Sequence, residues 1–206
     1  MESFLLFVMA SLILIVTPGP DIIYVITRGI SGGKWAGVMS AIGVTAGILV
    51  HTLAAALGLA VLLKTSTYMF WMLKIIGGIY LMYLGYQMIR NKNAFEITVL
   101  RGHLDMKKCF VQGFLSNVLN PKVALFFVAF LPQFVNVDSS SHGLHMVFLG
   151  LFFALMTITF LVILGLFAGA IGVWLRGKKN IAATIRIGSG SVLMLLGLRL
   201  LVPQRS

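Results

Sequence analysis

An apolar run from Ser3 to Thr27 is interrupted by Thr17-Pro18-Gly19-Pro20-Asp21, which sets two prolines and a carboxylate inside a stretch long enough to cross a bilayer. A plain anchor helix has no use for them. Pro18 and Pro20 lack the N–H that would bond the carbonyls four residues back, those of Leu14 and Val16, while Gly19 tolerates backbone angles closed to other residues. The helix is predicted to break here. Freed backbone inside hydrocarbon is tolerated only where it faces protein or a water-filled cavity, so the segment reads as the wall of a binding site. A second break is predicted at Asn120-Pro121-Lys122, 103 residues on from Pro18 to Pro121.

That these runs lie in a membrane follows from the composition: with 59% hydrophobic and 10% charged residues in 206, the apolar surface exceeds what a soluble domain of this size could hide. The formal net charge of +11 raises nucleic acid as a partner. The basic residues, however, stand in short loops between apolar runs, where they act as orientation signals beside anionic lipid, and no nucleic-acid binding is expected. Cys109 is the single cysteine, so neither an internal disulfide nor a thiol relay can be built, and it is expected to be an inert residue near a loop. Glu2 replaces the basic start of a signal peptide and no small-residue cleavage site follows the first run, which is therefore expected to stay in the protein.

Six membrane-crossing helices are predicted, over 3–27, 36–63, 68–89, 109–135, 144–174 and 181–203. They make one transmembrane domain, all α. The sixth spans only if Arg186 and Arg199 snorkel to opposite interfaces, and Lys74 in the third needs the same allowance. Eleven basic residues (Arg28, Lys34, Arg90, Lys92, Arg101, Lys107, Lys108, Arg176, Lys178, Lys179 and Arg186) fall on one side and four (Lys64, Lys74, Arg199 and Arg205) on the other. This imbalance puts the first set in the cytoplasm and both termini outside.

The halves repeat. Lys74-Ile75-x-x-Gly78-x-x-Leu81-Met82-x-Leu84-Gly85 matches Arg186-Ile187-x-x-Gly190-x-x-Leu193-Met194-x-Leu196-Gly197 at an offset of 112 residues, and the loop from Asp138 to His142 can absorb the change from 103. Repeat one is expected over about 1–90 and repeat two over about 109–206, joined by a mixed-charge loop at 90–108. Three crossings in each copy make the repeats inverted, an arrangement that places substrate and coupling-ion sites at the shared interface near the midplane.

Asp21 is the only acidic residue well inside a span, and burying it costs about 2.5–3.5 kcal/mol before a partner is found. It can serve structure, at the positive end of the half-helix after Pro20, or function. Lys122 stands one residue after its proline, beside a helix N-terminus that repels it, and so calls for an anion. That anion is either Asp21 itself or a substrate carboxylate. Asp21 with the freed carbonyls near Leu14 and Val16 attracts an ammonium, and Lys122 attracts a carboxylate, which together suit an amino acid; the same two poles could also simply neutralise each other. Gln112, Ser116, Asn117 and Asn120 form one polar stripe on the fourth segment, explained equally by bonds between helices and by a substrate pathway. Gly43, Gly47 and Gly58 share a face with His51, which is either hydrogen-bonded in place or a proton relay to Asp21. His103, His142 and His145 lie in loops or at a span end, no set of residues has metal-ligand spacing, and no cofactor is expected. The readings left beside a transporter are a cation or metal exporter, which calls for more buried carboxylates or histidines, a membrane thiol oxidoreductase, which needs a second cysteine, and a non-transporting assembly subunit.

Thr17-Pro18-Gly19-Pro20 in the first span, Gly43-x-x-x-Gly47-x-x-x-His51 in the second, Asn120-Pro121-Lys122 in the fourth, the Gly-rich third span and the basic loop before the fourth together resemble the LysE/RhtB family of bacterial amino-acid exporters, over essentially the whole chain. The resemblance implies efflux of amino acids across the bacterial inner membrane in exchange for protons. It makes Thr17, Pro18, Gly19, Pro20, Asp21, Asn120, Pro121 and Lys122 substrate-site candidates, to which the polar stripe adds Asn117, and makes Asp21 and His51 candidates for proton coupling. Neutral aliphatic or hydroxy amino acids are expected, because one buried anion is used up by the α-ammonium. The oligomeric state stays open, a homodimer included.

Overall fold

A computed structural model describes residues 2–65, 67–90, 105–135, 141–176 and 179–201, and every described element is helical. The 91–104 part of the mixed-charge loop, with His103, and the stretch around Asp138 lie outside the described residues, as do the side chains of Lys74 and Arg186. The first predicted span is two helices, α1 (Glu2–Val16) and α2 (Pro20–Gly32), bent by 49°. The fourth is likewise split, into α5 (Met106–Val118) and α6 (Pro121–Leu125), bent by 46°. Helix α6 runs on through a π turn at Phe126–Phe130 and a 3-10 turn at Leu131–Phe134. Between and after them come α3 (Lys34–Thr65), α4 (Thr67–Arg90), α7 (His142–Arg176) and α8 (Lys179–Leu201).

Both breaks follow from the same chemistry. Pro20 and Pro121 each stand at the first position of the resumed helix, where the missing N–H is not needed and the fixed φ suits helix. Asn120 caps α6 by accepting a bond from Lys122 N at 3.0 Å, and Asp105 caps α5 by accepting from Lys107 N at 2.9 Å. Gly19 precedes α2 in an extended conformation without a side-chain cap.

Lys34–Gly58 of α3 and His142–Ile171 of α7 are each long and apolar enough to cross a membrane, and each bent pair qualifies when taken as one broken span. Large apolar side chains cover much of the outer surface, among them Leu57 (70% exposed), Leu144 (75%) and Leu195 (64%), as lipid contact requires. Inside, the packing divides at the level of the breaks. On one side the rings of Phe7, Phe126, Phe127, Phe130 and Phe153 centre a core drawn from α1, α3, α4, α6, α7, α8 and the π and 3-10 turns. On the other, Ile22, Val25 and Ile26 of α2 pack against Ala41 and Val44 of α3 and Leu161 of α7.

Helices α4 and α8 form a close pair of their own. A Cβ at Gly78 would lie 2.9 Å from the Gly197 carbonyl and one at Gly190 2.6 Å from the Gly85 carbonyl, and the two reverse approaches, Gly197 to Gly78 and Gly85 to Gly190, are tighter still at 2.5 and 2.4 Å. Backbones this close leave no room for any residue larger than glycine.

Candidate functional site

The two breaks meet, and each satisfies the other's loose ends. Asp21, on the first turn of α2, accepts at Oδ2 from Asn117 Nδ2 (2.8 Å) and Asn120 Nδ2 (2.9 Å), the residues before the second break. Lys122, on the first turn of α6, reaches back across the first break and donates from Nζ to the carbonyls of Thr17 (2.9 Å) and Leu14 (3.1 Å). All four side chains are buried.

Two sequence expectations change here. The ammonium of Lys122 bonds to carbonyls and the carboxylate of Asp21 to amides, so the direct bond between them considered above is not made. The Leu14 carbonyl, freed by Pro18, accepts from a cation, but that cation is the chain's own Lys122 and no substrate, and the second carbonyl is that of Thr17 in place of Val16. Thr17 lies beyond the last turn of α1, where its carbonyl has no helical partner; its hydroxyl turns back to Ile13 O at 2.6 Å and anchors the end of the helix.

Gly19 is placed by contact with this ammonium. A Cβ there would stand 3.1 Å from Lys122 Nζ, tighter than ordinary packing. On the other flank, a Cβ at Gly47 of α3 would come within 2.8 Å of the Asn117 side chain, so the glycine there admits this asparagine.

His51 donates from Nε2 to the main-chain carbonyl of Asn117, 3.0 Å away, and its ring stands 5.9 Å from that of Phe127. It holds the end of α5, whose Asn117 carbonyl also accepts from Asn120 N at 2.8 Å. No hydrogen bond links His51 to Asp21. Three residues of the polar stripe, Gln112, Asn117 and Asn120, bond across helices: Gln112 Oε1 accepts from Arg28 Nη2 at 2.5 Å and lies 3.5 Å from Tyr24 OH, which donates to Cys109 O at 2.9 Å. Cys109 itself is buried in the first turns of α5. Tyr24 and Arg28 were not foreseen, since nothing in the spacing of a tyrosine and an arginine near a span end distinguishes a latch from an interfacial anchor.

Beside the junction lies a cavity of about 340 Å³. Pro18, Gly19, Pro20, Asn120, Pro121 and Lys122 form one wall, and Ile23 of α2, Leu84, Gln87 and Met88 of α4 and Leu193 of α8 form the rest. Thr17, Asp21, Asn117 and His51 do not line it. The site thus offers an ammonium, an amide and backbone at one end of a mostly apolar space, the ordinary anatomy of a small-molecule pocket.

Comparison with known proteins bears on what such a pocket takes. The LysE type translocator family matches residues 12–204. An uncharacterized membrane protein of Pseudomonas aeruginosa is 31% identical over 204 residues, covering 96% of this chain and 94% of that protein. An uncharacterized membrane protein of Bacillus subtilis is 31% identical over 149 residues, 68% of this chain and 71% of its own. A protein named as a leucine efflux protein, from an Enterobacter species, is 27% identical over 192 residues, 92% of this chain and 89% of its own. No solved structure matches.

Proposed function

Because this chain belongs to the LysE type translocator family, we propose that it is a secondary exporter of neutral amino acids, working by proton antiport across the bacterial inner membrane with both termini outside. The observation that carries the reading is the junction of two broken helices, with Lys122 set on carbonyls of the opposite break beside a cavity of about 340 Å³. Likeness to a leucine efflux protein supports an aliphatic substrate.

Six crossings in two inverted repeats are favoured by the packing of α4 on α8. Gly78 meets Gly197 and Gly85 meets Gly190, while the sequence repeat equates Gly78 with Gly190 and Gly85 with Gly197. Each contact is therefore the image of the other, as a twofold axis between the halves requires. With the eleven-residue basic side in the cytoplasm, the Gln87 and Met88 wall of the cavity, in the last turn of α4 before Arg90, lies toward that side, which supports loading from the cytoplasm. The phenylalanine core fills the other side. This is an exporter's loading state.

An amino acid carries both kinds of charge that hold the junction closed. Its carboxylate draws Lys122 off the Leu14 and Thr17 carbonyls, and its ammonium takes the same two carbonyls in place of the lysine. Asn120 orients the carboxylate from the cavity wall, and the aliphatic side chain lies toward Ile23, Leu84, Met88 and Leu193. Protonation of Asp21 from outside removes the negative charge nearest that ammonium and favours release; loss of the proton to the cytoplasm resets the site. His51 holds Asn117, and through it the amides on Asp21. The test is counterflow in liposomes loaded with unlabelled leucine: labelled leucine should enter faster than into protein-free vesicles and labelled lysine should not, while equal uptake with and without protein would remove the assignment.

A further inference from the structure

A second, much smaller chamber of about 20 Å³ lies against the junction, and Asp21 and Asn117 line it although they do not line the large cavity. Apart from these two, Lys122 and Thr157, its walls are apolar. Three hydrogen-bonding positions are left over at this polar wall. Asp21 Oδ1 and Asn117 Oδ1 are buried without a partner. The lysine ammonium has three N–H donors, of which two are placed on Leu14 and Thr17. A single water answers all three, with two O–H donors for the oxygens and a lone pair for the N–H. The chamber fits one, since a bound water needs about 10–15 Å³ and two to four polar partners. A metal cation suits it badly, because the lysine ammonium stands at the same wall.

We propose that this chamber is a binding site for one water molecule that joins Asp21 to Lys122 and Asn117, and that this water passes a proton from the Lys122 ammonium to Asp21. The second half rests on the proton-coupled reading above; the first does not. Asp21 Oδ2 already accepts from two amides, so Oδ1 is the oxygen left to take a proton. In that step the Lys122 ammonium passes one proton to the water as the water passes one of its own to Oδ1, so that the water leaves the step neutral, the carboxylate becomes a carboxylic acid, and the lysine, left an amine, takes up the incoming proton. The titratable groups facing Asp21 are Lys122 from α6 and His51 from α3; α5 brings only amides, and Thr157 of α7, which also lines the chamber, donates its hydroxyl to Phe153 O at 2.8 Å.

Infrared difference spectra between high and low pH, recorded on the whole protein in liposomes, test both halves. Wild type should show a carboxylic C=O band that Asp21→Asn removes, accompanied by an O–H stretching band that shifts when the buffer is made with oxygen-18 water. Val123→Ile, which adds one methylene to the chamber wall, should lose the water band, keep the carboxyl band and reduce pH-gradient-driven export on the order of tenfold. Val123→Ala, which enlarges the chamber, should keep both bands. A carboxyl band with no oxygen-18-sensitive partner in wild type, or an undiminished water band in Val123→Ile, overturns the proposal. Absence of the Asp21 carboxyl band itself would instead overturn proton coupling at this residue, and leucine counterflow would then show whether the transporter reading survives it.

Discussion

The two breaks look alike in sequence, each a proline opening a new half-helix with a charged residue next to it, yet they are held by opposite means. At the second, a side chain does the capping: Asn120 Oδ1 takes the Lys122 amide, and the outside group that reaches its backbone is the neutral His51, at the Asn117 carbonyl. At the first, Gly19 offers no cap, and the carbonyls of Leu14 and Thr17 depend on an ammonium from the other half of the chain. The carboxylate beside the uncapped break is in turn held by amides beside the capped one. The comparison teaches that the first break is the labile partner, whose stabilising group can be exchanged for a ligand bearing the same charge. A break capped by its own side chain has no such vacancy to trade.

The strongest way to break this asymmetry is Lys122→Met. It strands two carbonyls in an apolar junction and leaves Asp21 without a neighbouring cation, a loss of about 3–5 kcal/mol by the usual cost of removing one partner from a buried charged set. Thermal unfolding in detergent should fall sharply, and the double variant with Asp21→Asn should recover part of the loss. Equal stability of the single variant and wild type would mean that the carbonyls never needed the lysine.

Asp21→Asn alone should cost less, about 1–2 kcal/mol, because its carbonyl oxygen still accepts from Asn117 and Asn120. Membrane insertion should be unchanged and leucine counterflow retained, while export driven by a pH gradient disappears. Undiminished gradient-driven export would remove Asp21 from the coupling. Asn120→Ala comes next, at about 1 kcal/mol for the lost cap. It sharpens the comparison, since it makes the second break resemble the first: unfolding should register the loss, and the apparent KM for leucine should rise as the amide leaves the cavity wall.

The breaks were legible because proline and glycine act locally, and Asp21 and Lys122 stood out beside them because charge is rare in an apolar run. Their hydrogen-bond partners were not legible. Whether an ammonium near a carboxylate bonds to it or to a carbonyl beside it is decided by fractions of an ångström, which no spacing encodes. The apolar wall of the cavity was hidden for another reason. Leu84, Met88 and Leu193 are chemically the same as Ile79 (57% exposed) and Leu195 (64%), which stand on the outer surface of the same two helices. In a membrane protein hydrophobicity marks both faces, so the inward one appears only when helices are set against each other.

His51 separates the two breaks by the smallest expected effect. Its Nε2 meets the Asn117 carbonyl, so its action on Asp21 passes through an amide, a group that holds a carboxylate well and passes protons poorly. His51→Phe should therefore cost about 1 kcal/mol of stability, the worth of one buried hydrogen bond, and raise the KM for leucine slightly by loosening the end of α5. His51→Gln, which can still donate to that carbonyl, should restore both. If histidine only positions Asn117, the pH profile of gradient-driven export keeps its shape in both variants. If it relays the proton, glutamine rescues the stability and leaves coupling lost, because an amide cannot take the imidazole's place in a proton path whatever it does for the helix.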